Sequence, residues 1–445
     1  MHKEISEDMV NNFSQAVHEK PENDVIAHAI RKNGLQATTQ NAASSVAMNH
    51  VFSNEIDTGK VSNQEQSGRC WMFAALNTFT HKLSSAFQLK DFELSQNYVN
   101  FWDKFEKANY FYENILETAA EPLEGRLVSW LLETPQQDGG QWDMLVSLIE
   151  KYGVVPKQVM PETFHSRKSG QLNQLLNAKL RKDAIKLRQL HEDGKNEALL
   201  QEKSEMLSDV YRLLVYTLGE PPKVFDFEYK DDEGRFHREQ DLTPQTFYMK
   251  YVGVDLHDYV SIINAPTENK PFGKTYTVRH LGNVVGGTPV KYLNVDMDTL
   301  KNLAVQQLQE NESVWFGCDV GQDSERKEGI MDTAIFDYEK ALGFAARMSK
   351  AERLDYHDGM LTHAMVLTGV NLVDDKPNRW KVENSWGEKV GDKGYFVMSE
   401  DWMNEYTYQV VIHKKYLSEE LKKAWEQEPV ALKPWDPMGS LALMV

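Results

Sequence analysis

The apolar side chains of this 445-residue chain follow one period in its N-terminal part and another in its C-terminal part. From Cys70 to Phe87 they recur at close to the 3.6-residue period of a helix, with no Pro or Gly between them. Near the start of the chain, a four-residue spacing places apolar side chains on one face of a short amphipathic helix: Ile5, Met9, Phe13 and Val17. In the last third, short alternating or apolar runs between turn residues predict an antiparallel sheet or barrel. The pattern therefore predicts an α+β protein.

A segment between the helical N-terminal part and the strand-rich last third has a different composition. Residues 165–223 are rich in Leu, Lys, Glu and Gln, and they predict two helices that break near Gly194 and end at Pro221-Pro222. A chain of this length is expected to form two or three lobes. We predict an N-terminal arm (1–60), a helical lobe (61–164), an inserted helical region (165–290), a β lobe (291–418) and a C-terminal arm (419–445).

Charge and cysteine content narrow the class of protein. With 49 basic and 67 acidic residues the net charge is −18, which disfavours nucleic-acid partners and anionic membranes. The N-terminal residues lack the apolar core of a signal peptide, and no apolar run is long enough to span a membrane. Two cysteines cannot form a disulfide framework, so we expect a reducing compartment, most simply the cytoplasm. No motif predicts a metal or an organic cofactor.

One of the two cysteines has a sequence context that suits catalysis. Cys70 is expected in the first turn of a helix, where the positive end of the helix dipole favours thiolate. The alternative is a buried, inert cysteine, which is the expectation for Cys318 in its apolar, strand-like run. A thiolate nucleophile also requires a base and an oxyanion donor. Gln64, six residues upstream of Cys70, is a candidate donor.

Two later segments offer the remaining parts of such a site. His363 begins an alternating run and Asn384 follows on the next predicted strand, so antiparallel pairing would bring the two side chains together. Asn384 would then orient the imidazole, as the third member of a catalytic triad does. Trp386 would cover that hydrogen bond and keep water away from it.

These blocks resemble those of papain-like cysteine peptidases. The stretch "NQEQSGRCWMFAALNTF" is similar to the family's Gln and Cys-Trp-x-Phe block, and "THAMVLTGV" and "ENSWGEKVGDKGYF" are similar to its His and Asn-Ser-Trp-Gly blocks, in the same order. "DGGQWDML" resembles the Gly-Gly loop that binds the substrate backbone. The wide Cys-to-His gap, the helical insertion and the tail "PWDPMGSLA" resemble the intracellular branch, which contains bleomycin hydrolase and bacterial aminopeptidase C.

The resemblance implies roles for individual residues and for the assembly. It implies a papain-like two-lobed fold with Cys70 as nucleophile, His363 as general base and acid, Asn384 as orienting residue and Gln64 as oxyanion donor. It also implies substrate contacts at Gly139, Gly140 and Trp386 and in the tail near Ala442. The family forms homohexamers with active sites facing an internal channel, so we expect the arm and the insertion to serve that assembly; simple packing within one subunit is the alternative.

The expected function is that of a cytoplasmic cysteine aminopeptidase acting on peptides through a thioacyl-enzyme. In this family the C-terminal carboxylate receives the substrate's amino group, and family chains commonly end near the position of Ala442. This chain continues past that position with Leu443, Met444 and Val445. The extension could be trimmed by the enzyme, could shift activity toward an endopeptidase, or could fold aside without effect. An endopeptidase on the same scaffold and a non-catalytic oligomeric binding protein are the alternatives to an aminopeptidase.

Overall fold

The N-terminal arm is mostly helical in the computed structural model, which describes residues 4–89 and 92–440. It contains α1 (Glu7–His18), α2 (Pro21–Asn33), α3 (Leu35–Thr39), α4 (Ala42–Ala47) and the short strand β1 (Asn54–Glu55). Ser6 caps α1 by accepting a hydrogen bond from the backbone N–H of Met9. The predicted amphipathic helix is confirmed, and none of its residues is buried within this chain.

The first lobe is built from helices around a buried central helix. Its elements are α5 (Cys70–Phe87), α6 (Gln96–Glu117), α7 (Arg126–Glu133), α8 (Trp142–Tyr152) and α9 (Phe164–Arg167). Helix α5 begins at Cys70, as predicted, and every side chain from Cys70 to Phe79 is buried. Ser95 caps α6 by accepting from the N–H of Tyr98 at 3.0 Å. The central helix therefore has no solvent face over its first turns, which explains its nearly continuous apolar sequence.

The insertion begins with the two predicted helices, α10 (Gly170–Glu192) and α11 (Asn196–Leu218). Gly194 lies between them with φ +67°, a conformation that glycine adopts without strain. Both helices pack against α6. The hairpin β2 (Phe225–Lys230) and β3 (Phe236–Leu242) follows, and then α12 (Pro244–Phe247), a π-helical turn (Tyr248–Val252) and a 3₁₀ turn (Leu256–Asp258).

The second lobe is built on a large sheet. Its strands are β4 (Tyr259–Ile263), β5 (Lys274–Val278), β6 (Tyr292–Asn294), β7 (Val314–Cys318), β8 (Ser324–Glu325), β9 (Ile330–Met331), β10 (His363–Val373), β11 (Lys376–Glu383), β12 (Tyr395–Ser399), β13 (Thr407–His413) and β14 (Val430–Leu432). Its helices are α13 (Met297–Gln309), α14 (Tyr338–Leu342), α15 (Lys350–Asp355), α16 (Glu400–Tyr406) and α17 (Glu419–Trp425), with 3₁₀ turns at Lys414–Tyr416 and Pro437–Gly439.

The order of the strands places β10 between β7 and β11. The sheet runs β14-β5-β6-β4-β13-β7-β10-β11-β12-β9-β8, and β1 adds to β10. The pairs next to β10 are antiparallel, as predicted, whereas β4 with β6, β5 with β14 and β9 with β12 are parallel. Strands β4 and β5 come from residues that we assigned to the helical insertion, and β14 comes from the C-terminal arm. The helical part of the insertion thus ends well before residue 290, because the chain re-enters the sheet at Tyr259.

The two lobes meet along α5 and β10. Ala364 and Val366 on one face of β10 pack into the apolar cluster that includes α5, and Met365 and Leu367 on the other face pack into the cluster behind the sheet. This alternation is that of a strand covered on both faces. The first residues of α5 and of β10 are thereby brought together between the lobes. The predicted α+β fold is confirmed.

Candidate active site

The turn before Cys70 is held by a buried arginine. Nη1 and Nη2 of Arg69 donate to the two carboxylate oxygens of Glu162 at 3.1 and 2.8 Å. The Nε of Arg69 donates to the Oγ of Ser67 at 2.9 Å. Both side chains of the ion pair are nearly excluded from solvent, and such paired geometry fixes position as well as adding energy. Because Arg69 immediately precedes α5, this pair also fixes the place of Cys70.

The Cys70 thiol is fully buried. Burial raises the pKa of Cys70 to about 12, because the thiolate is poorly solvated there. The backbone N–H groups of Ala364 and Trp71 lie within hydrogen-bonding reach of the sulfur and act in the opposite direction. The helix start favours thiolate, but the effect of burial is larger. Our expectation of a lowered Cys70 pKa is therefore wrong for the folded protein without substrate. The thiol therefore stays protonated until a base accepts its proton.

His363, the first residue of β10, contacts Asn384, which immediately follows β11. The distance from His363 Nε2 to Asn384 Oδ1 is 2.9 Å. This oxygen also accepts from the backbone N–H of Ser385 at 2.8 Å, and a backbone N–H can only donate, so the amide orientation is fixed. The Nε2 therefore carries the hydrogen and Nδ1 holds the lone pair. Antiparallel pairing of β10 with β11 brings the two side chains together, as predicted.

The lone-pair nitrogen of His363 is free of other partners among the described residues. Burial lowers the pKa of His363 to about 4, against a smaller raising effect of Asn384, so the imidazole is neutral at pH 7. Among the described residues, Nδ1 has no hydrogen-bond partner. The next residue, Ala364, directs its N–H toward the sulfur of Cys70. The first residues of α5 and β10 thus bring a neutral imidazole and a protonated thiol to the same part of the fold, and the free lone pair of Nδ1 could accept a proton there.

Gln64 joins the same group through Ser385. The hydroxyl of Ser385 donates to Gln64 Oε1 at 3.1 Å, and the backbone N–H of Gln64 donates to the carbonyl of Ser385 at 2.8 Å. The Nε2 of Gln64 donates to the carbonyl of Ser67 at 2.7 Å. Gln64 is completely buried. The structure therefore brings the predicted oxyanion donor to Ser385, which follows Asn384 in the chain.

Trp386 packs against His363, in agreement with the predicted position beside the imidazole. Its ring centroid lies 4.9 Å from that of His363, with the planes tilted by 32°. The guanidinium of Arg326 lies on the indole, 3.9 Å from the ring centroid. An aromatic ring over a hydrogen bond limits the access of water and strengthens the bond.

The Gly139-Gly140 loop lies against the first turn of α5. A Cβ added to Gly140 would come within 2.5 Å of the Trp71 ring, so no larger residue fits without displacing the loop. The Nζ of Lys107 donates to the carbonyl of Gly139 at 2.7 Å and to that of Gln137 at 2.8 Å. The Nε1 of Trp71 donates to the carbonyl of Asp138 at 2.7 Å. The predicted substrate loop is therefore next to Cys70 and firmly held.

A buried ion pair underlies this loop. Nζ of Lys104 lies 2.6 Å from Oδ1 of Asp138, and the two side chains are 0% and 5% exposed. The Oδ2 of Asp138 accepts from the backbone N–H of Gly68 at 2.9 Å. Burial alone would raise the pKa of Asp138, but the Lys104 ammonium, together with its hydrogen bond, outweighs burial and holds that pKa well below its usual range. The carboxylate links the turn before Cys70 to the glycine loop.

The C-terminal arm reaches the same place. The Nε2 of Gln141 donates to the carbonyl of Ser440 at 2.9 Å, and the hydroxyl of Ser440 donates to the carbonyl of Leu361 at 2.8 Å. Ser440 thus bridges the glycine loop and the residues before His363. The predicted substrate contact at Ala442, with the extension Leu443-Met444-Val445, lies outside the described residues.

Several side chains at this site were missed in the sequence: Lys104, Lys107, Asp138, Gln141, Ser385 and Ser440. A signal existed for the two lysines, since both lie on a helix whose neighbours are largely aromatic and apolar, where an unpaired charge would be costly. Ser385 and Gln141 were within the quoted motifs, but their partners are distant in sequence and could not be identified.

Within residues 4–89 and 92–440, no group of three or more His, Cys, Asp or Glu side chains could hold a metal ion. In the same residues, no helix has the length and apolar content needed to cross a membrane.

Comparison with known proteins gives a consistent result. The sequence model described as the peptidase C1-like family matches residues 4–439. The chain is 62% identical over 443 residues to an Aminopeptidase C of Listeria monocytogenes, with all of both chains covered. It is 51% identical over 446 residues to an Aminopeptidase C of Lactobacillus delbrueckii subsp. lactis, with 99% of each covered. The solved structure of PepW from Lactobacillus rhamnosis HN001 is similar with a TM-score of 0.98 and 58% identity, covering 99% of this chain and 100% of that one.

Proposed function

From the premise that this chain belongs to the peptidase C1-like family, we propose that it is a cysteine aminopeptidase that removes N-terminal residues from peptides. The observation that carries the proposal is the His363–Asn384 hydrogen bond, which leaves the lone pair of His363 Nδ1 for the thiol of Cys70. Relatives named Aminopeptidase C support the choice of reaction. A non-catalytic binding protein would have no use for a buried, neutral imidazole whose lone pair is left without a partner among the described residues.

The proposed reaction begins with proton transfer from Cys70 to Nδ1 of His363. Sulfur attacks the carbonyl carbon of the first residue, and the C–N bond breaks as the imidazolium returns its proton to the leaving amine. The neutral imidazole then accepts a proton from water, which attacks the thioester and frees the first residue. Burial disfavours either charge alone, so thiolate and imidazolium form together as a pair, which Asn384 stabilises through Nε2.

In this proposal two hydrogen-bond donors stabilise the negative charge that develops on the attacked carbonyl oxygen. One is the backbone N–H of Cys70, which is among the first amides of α5 and has no partner within the helix. The other is the Nε2 of Gln64, whose carboxamide is held by Ser385 and Ser67. Donors fixed before the reaction need no reorganisation in the transition state, and each contributes roughly 3–4 kcal/mol.

The C-terminal arm supports removal of single residues from the free end. Ser440 is fastened between Gln141 of the glycine-loop segment and Leu361, and these contacts support a tail that limits how far a substrate extends on its N-terminal side. In the family that the sequence resembles, a C-terminal carboxylate pairs with the substrate's ammonium group, and the same pairing is part of this proposal. The three residues past Ala442 leave two further proposals open: trimming by the enzyme itself and partial endopeptidase activity.

The proposal is tested with one fluorogenic aminoacyl amide in two forms, one with a free amino group and one acetylated. We expect hydrolysis of the free form alone, and a loss of at least about 10⁴-fold in the Cys70→Ala variant. Cleavage of both forms would favour the endopeptidase. No cleavage of either, together with no labelling of Cys70 by a thiol-directed epoxide, would contradict the proposal. Mass spectrometry of the purified chain reports on trimming.

We further propose a homohexamer and a cytoplasmic setting. Helix α1 has apolar side chains turned to solvent, with Phe13 59% and Met9 43% exposed, and a second subunit would cover them. The two cysteines are free and buried, which suits a reducing compartment. Peptides are the proposed substrates.

A further inference from the structure

Arg326 is a cation held beside the candidate site without a carboxylate partner. Its guanidinium lies 3.9 Å from the Trp386 ring centroid, and Trp386 in turn covers His363 at 4.9 Å between centroids. Within the described residues, no Asp or Glu is within ion-pair distance of Arg326, although the chain has 67 acidic residues. Its positive charge contributes to the lowered pKa of His363, after burial.

The neighbouring acidic groups are turned to other partners. Glu325 accepts from the backbone N–H of Glu328, and Glu328 accepts from Nε2 of Gln40 at 3.4 Å. Arg326 lies on the exposed surface, so its donors face solvent apart from the stacked plane. An unpaired arginine in an acidic protein is available to an anion that arrives from solution.

The turn that carries Arg326 is fixed in place. It joins β8 to β9, and the backbone N–H of Gly391 donates to the carbonyl of Lys327 at 3.2 Å. The backbones approach closely at Gly329, where an added Cβ would come within 2.7 Å of the Gly391 Cα. Gly329 also has φ +72°. Because the turn is held on both sides, the guanidinium is positioned before any ligand binds.

Arg326 is linked to His363 through Trp386. The contacts of Ser440, by contrast, are with Gln141 and Leu361. In the proposed reaction His363 protonates the leaving amine, so the peptide beyond that amine extends past His363 toward Trp386. An extended peptide advances about 3.5 Å per residue. The steps of 4.9 Å from His363 to Trp386 and 3.9 Å from there to the guanidinium correspond to one or two residues.

We propose that Arg326 binds a carboxylate on the leaving part of the substrate, one or two residues beyond the cleaved bond. The guanidinium offers a planar pair of N–H donors that matches a carboxylate. The carboxylate is either the C-terminus of a dipeptide or tripeptide or the side chain of Asp or Glu. The site would then favour short or acidic leaving peptides. The inference rests on the proposed peptidase function and specifies its substrates.

The test compares substrates that differ only in this charge. Each substrate begins with the N-terminal residue whose neutral arylamide the enzyme hydrolyses best, followed by one or two alanines. Each is prepared as the free acid and as the C-terminal amide. A further amide with Asp in the second leaving position distinguishes a side-chain carboxylate from a terminal one. The proteins are the wild type, Arg326→Met, Arg326→Lys and the matched control Lys327→Met, which removes the adjacent charge on the same turn.

We expect the wild type to prefer acids over amides by about tenfold in kcat/KM, mainly through KM. Arg326→Met should abolish that preference, Arg326→Lys should keep part of it, and Lys327→Met should keep it all. Equal kcat/KM for acid and amide in the wild type would overturn the inference. An equal loss of kcat/KM for the acid and the amide in Arg326→Met would also overturn the inference. Arg326 would then act only by supporting the Trp386 ring. The neutral arylamide reports on peptidase function separately: if it is not hydrolysed by any protein, the proposed function fails first.

Discussion

Two buried polar networks flank the Cys70 thiol, and they are built differently. One contains His363, Asn384, Ser385 and Gln64, all uncharged at pH 7. The other, under the glycine loop, is centred on the ion pair of Lys104 with Asp138. Both are excluded from solvent to nearly the same degree.

The difference lies in how fully each network is satisfied. Asp138 accepts from Lys104, Asn173, Ser169 and Gly68, so both of its oxygens are engaged. On the other side, Nδ1 of His363 and Nδ2 of Asn384 have no hydrogen-bond partner among the described residues. A group that must change its charge in a reaction keeps bonding capacity in reserve, whereas a group that holds shape uses all of it. The comparison predicts that damage to the charged network lowers stability and damage to the neutral one lowers rate.

The largest expected effect is on stability, from Lys104→Met. This variant leaves Asp138 buried without its cation, and breaking one side of a buried pair costs about 3–5 kcal/mol. We expect the free energy of unfolding, measured in urea, to fall by that amount.

The matched control is Lys340→Met. Lys340 also contacts a carboxylate, Asp337, at 2.7 Å, but the two side chains are 78% and 36% exposed, so its loss should cost under about 1 kcal/mol. Adding Asp138→Asn to Lys104→Met should restore part of the loss. Equal costs for the two lysines would contradict the view that the loop depends on the buried pair.

A smaller effect is expected from pH at the neutral network. The pKa of His363 is about 4 in the folded protein and close to 6.5 when unfolded. Below pH 6.5 the unfolded chain therefore binds more protons, and stability present above that pH is lost as pH falls toward 4. His363 should account for about 2 kcal/mol of loss between pH 7 and pH 5.

The measurement is the difference in unfolding free energy between the wild type and His363→Asn at each pH. This difference removes the contribution of the other titrating groups. The wild type should lose its advantage over the variant as pH falls. A difference that stays constant from pH 7 to pH 5 would mean that His363 has the same pKa in the folded protein as in the unfolded chain.

The sequence predicted the neutral network better than the charged one, for a physical reason. Cys70 begins a helix, His363 begins a strand and Asn384 follows the next strand, and the apolar periods indicated that these three elements exist. The resemblance then supplied their roles. The Lys104–Asp138 pair joins the middle of α6 to a loop, and only the packed fold brings those positions together. The aromatic and apolar neighbours of Lys104 signalled a buried charge, but nothing in the sequence identified Asp138 as its partner.

The balance between dipole and burial at Cys70 was also beyond the sequence. A helix start predicts a lowered pKa, and the local N–H groups act in that direction. The degree of burial depends on how both lobes close over the thiol, and this decided the sign. Similarly, strands β4 and β5 fell within a region predicted as helical, because the composition of its first half dominated the assignment of the whole.

The smallest expected effect is that of Ser385→Ala, which tests whether the neutral network serves rate rather than stability. The hydroxyl of Ser385 holds Gln64 Oε1 at 3.1 Å, while the backbone contacts of Ser385 with Asn384 and Gln64 remain in the variant. A hydrogen bond of this kind contributes about 1 kcal/mol, so a less well-oriented Gln64 should lower kcat about fivefold with little change in KM. Ser62→Ala is the matched control, since Ser62 is also buried and bonded to an amide, that of Asn77, at 3.0 Å. Both variants should lose similar stability, but only Ser385→Ala should lose rate. If both variants keep the wild-type kcat, the carboxamide of Gln64 does not depend on Ser385, and the two networks differ in charge alone.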